Sequence, residues 1–128
     1  MQIGLQLNKF RSGLEQKVAD QLSALKIDYE YETMRIIYQK PAKYSYYKPD
    51  FILPNGIIIE AKGQFLTADR KKHKLIKDQF GSKYDIRFLF SNSKTKIGNK
   101  SKTTYAMWCE KLGFKYCDLT IPQSWINE

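Results

Sequence analysis

The chain has 128 residues, of which 42% are hydrophobic, and this is enough for one domain with a single buried core. Lys and Arg outnumber Asp and Glu by 22 to 13, and the net charge of +9 favours a polyanionic partner such as nucleic acid. The apolar runs are too short to span a membrane, and we expect no membrane partner. Two cysteines without metal-binding spacing predict reduced thiols in a cytosolic protein.

The first predicted element is a helix that follows a flexible arm over residues 1–9. Ser12-Gly13-Leu14-Glu15 has the pattern of a capping box, and apolar residues then recur at helical spacing, at Leu14, Val18, Leu22 and Leu25. Glu15 has two interpretations. It can return a hydrogen bond to the start of the helix, or it can face the sheet as part of a site. The sequence pattern alone favours the cap.

Residues 29–38 alternate and are rich in β-formers, which predicts a strand. Residues 39–48 interleave Lys with Tyr, and this pattern has two open interpretations. It suits a surface that meets a phosphate backbone, and it equally suits a tyrosine-rich edge strand or subunit contact.

A β-hairpin over residues 49–63 is the central prediction. Two apolar runs flank Pro54-Asn55-Gly56, in which Pro presets a turn, Asn tolerates it and Gly adopts a left-handed conformation. If all three residues form the loop, Asp50 lies opposite Glu60, and Lys62 projects from the same face. A two-residue Asn-Gly loop would instead pair Asp50 with Ala61 and separate the carboxylates. We favour the longer loop because it uses Pro54 as a turn residue.

Two adjacent carboxylates repel each other unless a cation lies between them or one of them is protonated. A hard divalent cation with oxygen ligands is one solution, with Lys62 beside it to hold water or to neutralise a phosphate. The alternative is a salt-bridged patch at a strand end without chemistry.

The rest of the chain continues as helix, strand, helix and a last short strand. We predict a helix over residues 68–80 capped by Thr67, a strand over 85–90, a helix from Thr103 or Thr104 to residue 112, and a strand over 115–117. The first of these helices and the loop after residue 90 are strongly basic, which suits phosphate contacts or a solvated surface. The order of elements predicts an α/β domain over residues 10–128, with a mixed central sheet flanked by helices.

Several sequence blocks resemble a known family. Glu15, Pro49-Asp50 and Glu60-Ala61-Lys62 match the PD-(D/E)xK nuclease pattern, and the surrounding blocks resemble phage endonuclease I, the Holliday-junction resolvase of tailed phages. These blocks are Phe10-Arg11-Ser12-Gly13-Leu14-Glu15, Tyr47-Lys48-Pro49-Asp50-Phe51, Leu53-Pro54-Asn55-Gly56, Asp69-Arg70-Lys71-Lys72-His73 and Phe90-Ser91-Asn92-Ser93-Lys94-Thr95-Lys96.

The resemblance implies a restriction-endonuclease-like core and a metal-dependent endodeoxyribonuclease that resolves four-way and branched DNA by paired nicks. It implies catalytic roles for Glu15, Asp50, Glu60 and Lys62. Two Mg²⁺ ions per site, replaceable by Mn²⁺, would be held by Asp50, Glu60, the Ala61 carbonyl and Glu15. Glu15 is thereby favoured as a ligand over a cap.

The resemblance also implies a domain-swapped homodimer with residues 39–48 as the bridge between subunits. Such a protein would be phage-encoded, act in the host cytoplasm and need no nucleotide cofactor. The candidate DNA-binding residues are basic side chains along the chain: Arg11, Lys43, Arg70, Lys71, Lys72, His73, Lys74, Lys94 and Lys96. Alternative functions are a sequence- or mismatch-directed nicking enzyme of the same fold and a non-catalytic DNA-binding dimer.

Overall fold

The computed structural model describes residues 10–40 and 43–128; the predicted arm over residues 1–9 lies outside them. The strands are β1 (Glu30–Tyr31), β2 (Ile36–Lys40), β3 (Lys43–Tyr47), β4 (Phe51–Ile52), β5 (Ile58–Lys62), β6 (Ile86–Phe90) and β7 (Tyr116–Asp118). The helices are α1 (Gly13–Ala24), α2 (Thr67–Phe80), α3 (Tyr105–Leu112) and α4 (Gln123–Ile126). In the described part of the chain, no helix is long and apolar enough to cross a membrane.

A five-stranded mixed sheet forms the centre of the fold, in the order β1-β4-β5-β6-β7. Strands β1, β4 and β5 are antiparallel neighbours, whereas β5, β6 and β7 run parallel. The C-terminal ends of β5, β6 and β7 therefore lie at one edge of the sheet, where loops carry functional groups in α/β folds. The predicted fold class, an α/β domain with a mixed central sheet flanked by helices, is confirmed.

Each face of this sheet has its own hydrophobic core. Helix α1 packs Val18 and Leu22 against one face, where the C-terminal Trp125 also lies. Helices α2 and α3 and the hairpin β2–β3 cover the other face. Side chains alternate along β5, and since Ile57 and Ile59 belong to the first core and Ile58 to the second, Glu60 and Lys62 project on the α2 side.

Helix boundaries follow the predicted caps with small differences. Ser12 caps α1 by accepting a hydrogen bond from the Glu15 amide at 3.1 Å. Helix α1 ends one residue before Leu25, whose side chain is exposed, so its place in the buried stripe was predicted wrongly. Helix α3 begins after Thr104 and ends at Gly113, as predicted. Helix α2 begins at Thr67, and Leu66 occupies the cap position. The prediction that Thr67 caps this helix was therefore wrong by one residue.

The strand predicted over residues 29–38 is two strands in different sheets. Glu32 has a φ of +53°, a left-handed conformation that ends β1 after Tyr31. Strand β2 then begins at Ile36 and pairs with β3 in a separate two-stranded sheet. The alternating pattern did not show this break, because Glu32 is not one of the residues that favour such a conformation.

The predicted three-residue turn between β4 and β5 is confirmed. Phe51 pairs with Ile59 and Ile52 with Ile58, and the Leu53 amide donates to the Ile57 carbonyl at 2.9 Å. Gly56 has a φ of +89°, the left-handed conformation that glycine adopts at little cost. This register excludes the two-residue loop that would have separated the carboxylates.

Candidate active site

The register of the hairpin brings Asp50 and Glu60 together at the end of β4 and β5 away from the turn. One pair beyond Phe51 and Ile59, these two residues stand opposite each other. The Asp50 amide donates to Glu60 Oε1 at 3.2 Å, and the Ala61 amide donates to Asp50 Oδ2 at 3.0 Å. Both side chains are buried. The predicted pair of carboxylates is therefore present, and each is held by a backbone amide of the other strand.

Lys62 adds a positive charge beside this pair. Its Nζ lies 3.7 Å from Glu60 Oε2 and 3.2 Å from Asp69 Oδ1. Asp69 also accepts a hydrogen bond from the Leu66 amide at the start of α2, so that the lysine is anchored to a helix terminus. Burial lowers the pKa of Lys62, but Glu60 and Asp69 more than offset it and raise the pKa above its usual value. Lys62 is thus an ammonium ion at neutral pH.

One lysine does not neutralise the two acids. Burial, reinforced by Glu60 and then by Glu15, raises the pKa of Asp50 to about 8. Burial also raises the pKa of Glu60, despite the opposing effects of Lys62 and of a hydrogen bond from Tyr47. Two carboxyl groups with raised pKa values at one place are typical of a functional site, and they indicate a need for additional positive charge.

Glu15 lies within electrostatic range of Asp50, since it contributes to the raised pKa of that residue. Its side chain is buried and makes two hydrogen bonds to other groups. Glu15 Oε1 accepts from the Tyr31 hydroxyl at 2.5 Å and from the Arg11 amide at 3.1 Å. The capping role is therefore partly present, although the amide it binds belongs to Arg11 and not to Ser12.

The backbone carbonyl of Ala61 is placed to act as a further ligand. In a ladder continued by two pairs beyond Phe51–Ile59, Pro49 would stand opposite Ala61, and proline has no N–H to donate. Both backbone groups of a strand residue point toward the same neighbouring strand. The Ala61 N–H donates to the Asp50 carboxylate, so the Ala61 carbonyl points to the same side of β5. This position lies beyond Phe51, the first residue of the neighbouring strand β4.

Two residues that the sequence analysis did not place beside the acids contact Glu60. The Tyr47 hydroxyl donates to Glu60 Oε1 at 2.8 Å, and His73 Nε2 lies 3.9 Å from Glu60 Oε2. His73 shares a helical stripe with Ile76 and Phe80, and this spacing is a signal that it faces the core. No comparable signal exists for Tyr47, because its contact with Glu60 depends on how the hairpin β2–β3 docks.

The prediction that His73 contacts DNA was wrong, because its side chain is buried. The His73 side chain has no exposed surface, so it cannot touch a DNA backbone in this conformation. Arg70 binds within its own segment, to the Phe65 carbonyl and the Thr67 hydroxyl. Arg11 forms an ion pair with Glu32 at 2.9 Å. The other candidate DNA-binding residues keep exposed or partly exposed side chains: Lys43, Lys71, Lys72, Lys74, Lys94 and Lys96.

The loop that carries Lys94 and Lys96 lies next to the acids, because it follows the end of β6 beside the end of β5. The Ser91 amide donates to the Lys62 carbonyl, and Ser93 is held by Asp118 through its amide and hydroxyl. The basic loop is therefore fixed at the same sheet edge as Lys62, as a phosphate-contacting segment requires.

Comparison with known proteins identifies the family to which the chain belongs. A model of the phage endonuclease I family matches residues 2–128. The chain belongs to the phage endonuclease I family. Endonuclease I of Escherichia phage T7 is 50% identical over 119 residues, which cover 93% of this chain and 79% of the phage protein. Endodeoxyribonuclease 1 of Enterobacteria phage T3 is 48% identical, over 93% of this chain and 78% of its own length.

Family membership confirms that the protein is an enzyme of the endonuclease class, as the resemblance predicted. Among residues 10–40 and 43–128, no three His, Cys, Asp or Glu side chains form a ready-made metal cluster. The carboxylate pair and the nearby Ala61 carbonyl are the oxygen donors that this site offers.

Proposed function

We propose that this protein is a divalent-metal-dependent endodeoxyribonuclease that resolves four-way and branched DNA junctions by paired nicks. The observation that carries the proposal is the grouping of Asp50, Glu60 and Lys62 at one sheet edge, with both acids short of positive charge. The basic loop beside them and the net charge of +9 suit a DNA substrate. The relatives from phages T7 and T3 are named as endonucleases, the latter as an endodeoxyribonuclease.

The donor set fits Mg²⁺, because two carboxylates and a backbone carbonyl are hard oxygen ligands. Asp50, Glu60 and the Ala61 carbonyl would hold the metal, and Glu15 would add a ligand for a second ion if it leaves Tyr31. When bound, the metal lowers the pKa of a water molecule and stabilises negative charge on phosphate oxygens. Mn²⁺ has similar ligand preferences and should substitute.

The chain's own residues would then serve the hydrolysis of a DNA phosphodiester. Water attacks phosphorus in line with the departing 3′-oxygen, and the products are a 3′-hydroxyl and a 5′-phosphate. The raised pKa of Lys62 favours the ammonium form, which stabilises charge that develops on the phosphate and orients the attacking water. Its anchoring by Asp69 fixes the ammonium group before substrate binds.

We also propose that the enzyme acts as a domain-swapped homodimer, with residues 39–48 as the bridge. A four-way junction requires two cuts, and linking two sites makes the second cut intramolecular. In a swapped dimer, helix α1 of one subunit would bring Glu15 to the Asp50 and Glu60 of the other. Such an exchange would replace the pairing of Ile36–Lys40 with Lys43–Tyr47 within one chain by the same pairing between the two chains.

The decisive test is cleavage of an end-labelled synthetic four-way junction and of its matched linear duplex, in Mg²⁺ and in EDTA. We expect paired nicks near the branch that require metal, with little cutting of the duplex. Lys62→Ala should reduce the rate by about 10²- to 10³-fold, since a charge that acts on the transition state is lost. Lys17→Ala, on the exposed side of α1, is the matched control and should cut normally.

The two alternatives give different results in the same assay. Equal cutting of junction and duplex would leave a nicking endonuclease without junction selectivity. Tight junction binding without cleavage in Mg²⁺ or Mn²⁺ would indicate a DNA-binding dimer and would refute the enzymatic proposal.

A further inference from the structure

The two carboxylate oxygens of Glu60 have different surroundings. Oε1 accepts two hydrogen bonds from neutral donors, the Tyr47 hydroxyl at 2.8 Å and the Asp50 amide at 3.2 Å. Within the described part of the chain, the polar contacts of Oε2 are longer, at 3.7 Å to Lys62 Nζ and 3.9 Å to His73 Nε2. Oε1 is therefore committed to the protein, whereas Oε2 is the oxygen left to bind a cation.

Tyr47 reaches Glu60 from outside the central sheet. It is the last residue of β3 and pairs with Ile36, so its position is set by the hairpin β2–β3. The side chain is buried, its ring contacts His73 edge-on at 4.9 Å, and Lys72 Nζ lies 5.5 Å above it. These contacts leave the ring little freedom, so the hydroxyl is held at a fixed place above Glu60.

His73 closes the other side of the same carboxylate. It is completely buried, and neither ring nitrogen has a hydrogen-bond partner among the described residues. Its ring is wedged between Tyr47 and Phe88, with centroid distances of 4.9 and 4.8 Å. A buried imidazole without a partner is costly unless it serves a neighbouring group, and the polar atom that it faces belongs to Glu60.

We propose that Tyr47 is a positioning residue for the metal site. Its hydroxyl holds Oε1 of Glu60, which fixes the carboxylate plane and presents Oε2, bounded by Lys62 and His73, as the oxygen that binds the metal. Hydrogen-bonded partners of this kind orient metal ligands and raise affinity. The proposal rests on the proposed function, because it assigns a role around the same carboxylate.

A consequence is that the hairpin β2–β3 and the metal site are coupled. Tyr47 belongs to the hairpin, whereas Glu60 belongs to β5, and their hydrogen bond joins the two sheets. Any movement of β3 away from the central sheet therefore releases Oε1. Docking of the hairpin becomes a condition for a well-ordered metal ligand.

The experiment compares Tyr47→Phe with Tyr105→Phe, which also removes a buried hydroxyl from the same hydrophobic core. The Tyr105 hydroxyl accepts from the Phe65 amide at 3.1 Å and does not serve an acid of the site. Mn²⁺ binding is measured without DNA by electron paramagnetic resonance, and junction binding is measured in EDTA. Tyr47→Phe should weaken Mn²⁺ binding by about 10- to 100-fold. Junction affinity in EDTA should equal that of the wild type.

Kinetics supply a second measurement that a merely structural role would not change. With Tyr47→Phe, we expect kcat at low Mg²⁺ to fall while KM for the junction stays constant, and high Mg²⁺ should restore most of the rate. In a Glu60→Gln background, Tyr47→Phe should have no further effect on Mn²⁺ binding, because the carboxylate that it positions is gone.

Equal Mn²⁺ affinity in Tyr47→Phe and Tyr105→Phe would overturn the inference, as would an undiminished effect of Tyr47→Phe in the Glu60→Gln background. Failure of the proposed function would look different. In that case, the wild-type protein itself would bind no Mn²⁺ or would cut DNA equally well in EDTA.

Discussion

Two groups of charges, each centred on a buried side chain, lie on neighbouring strands of the same sheet, and they differ in how far each is neutralised. On β6, the Arg87 side chain is 2% exposed and binds two carboxylates, with four hydrogen bonds of 2.6 to 2.9 Å to Asp85 and Glu128. On β5, Glu60 and its neighbour Asp50 keep raised pKa values despite the positive charge of Lys62 beside them.

The Arg87 group has a structural role. Hydrogen bonds from Arg87 lower the pKa of Asp85 and of Glu128, so that both acids are ionised across the neutral range. The guanidinium group also packs on the Trp125 ring at 5.1 Å, and Asn55 in the β4–β5 turn donates to the Trp125 carbonyl at 2.8 Å. This group joins the C-terminal segment to the central sheet.

Of the two groups, the Asp50–Glu60 pair is the one that costs the fold free energy. A buried charge with complementary partners is compensated, and removing a partner destabilises the fold, whereas a buried pair of like charges is destabilising until a cation binds. Proteins retain such local conflicts at functional sites. The contrast predicts opposite consequences of removing a charge from each group.

Asp50→Asn should have the largest effect, with opposite signs for activity and stability. Cleavage should fall by at least about 100-fold, because the proposed metal ligand becomes neutral. In EDTA, the variant should be more stable than the wild type. Because the folded pKa of about 8 lies above the usual value for Asp, the folded protein holds a proton that the unfolded chain releases, and wild-type stability falls as pH rises through this range.

Thermal unfolding in EDTA from pH 5 to pH 9 measures this effect. The difference in Tm between Asp50→Asn and the wild type should grow with pH and level off above about pH 8. Asp20→Asn, on the exposed side of α1, should show no such growth. A constant or shrinking difference would contradict the raised pKa of Asp50.

Arg87→Met should have the opposite profile. The free energy of unfolding should fall by about 2 kcal/mol, since charge-assisted hydrogen bonds and packing on Trp125 are lost. The loss is moderate because Asp85 and Glu128 are about half exposed and can be hydrated instead. Urea denaturation measures the change.

Cleavage by Arg87→Met at 25 °C should stay within about twofold of the wild type. Arg35→Met is the matched control, because Arg35 stacks on Tyr46 at an exposed position. A large loss of cleavage by the folded Arg87→Met protein would show that the two groups of charges are not separate.

Gly56→Ala tests the β4–β5 turn, which sets the register of Asp50 and Glu60 and contacts Trp125 beside Arg87. A Cβ atom at this position would meet no other atom within 4 Å, so only the left-handed backbone is penalised, by about 1 kcal/mol. Urea denaturation should show this loss, whereas Gly13→Ala, at an open position with an ordinary backbone, should be neutral or slightly stabilising. Equal stabilities of the two variants would contradict the role of the turn.

Lys74→Gln tests an exposed charge, in contrast to the two groups that are centred on buried side chains. Lys74 and Asp78 form an ion pair at 3.1 Å with both side chains about 60% exposed, so its loss should change stability by less than about 0.5 kcal/mol. If Lys74 contacts a DNA phosphate, the salt dependence of junction binding in EDTA should weaken by about one unit of slope. An unchanged slope, equal to that of Lys17→Gln, would remove Lys74 from the DNA interface.

The sequence predicted the acid pair well because short-range rules determine it. Pro54-Asn55-Gly56 fixes the turn, the turn fixes the register, and the register places Asp50 opposite Glu60. It did not predict Tyr47 as a partner of Glu60, because that contact depends on the packing of two sheets. The break at Glu32 was missed because glutamate is not a residue that favours the left-handed backbone found there.

Pro49 has a consequence for mutational scanning of this enzyme. Because it has no amide hydrogen, Pro49 cannot donate a hydrogen bond to the Ala61 carbonyl, and the proposed site gains a ligand that belongs to no side chain. Replacing side chains one at a time cannot remove that ligand, and a change at position 61 would report on core packing instead. Pro49→Ala, which restores the hydrogen, is the replacement that would reveal the contribution of this carbonyl.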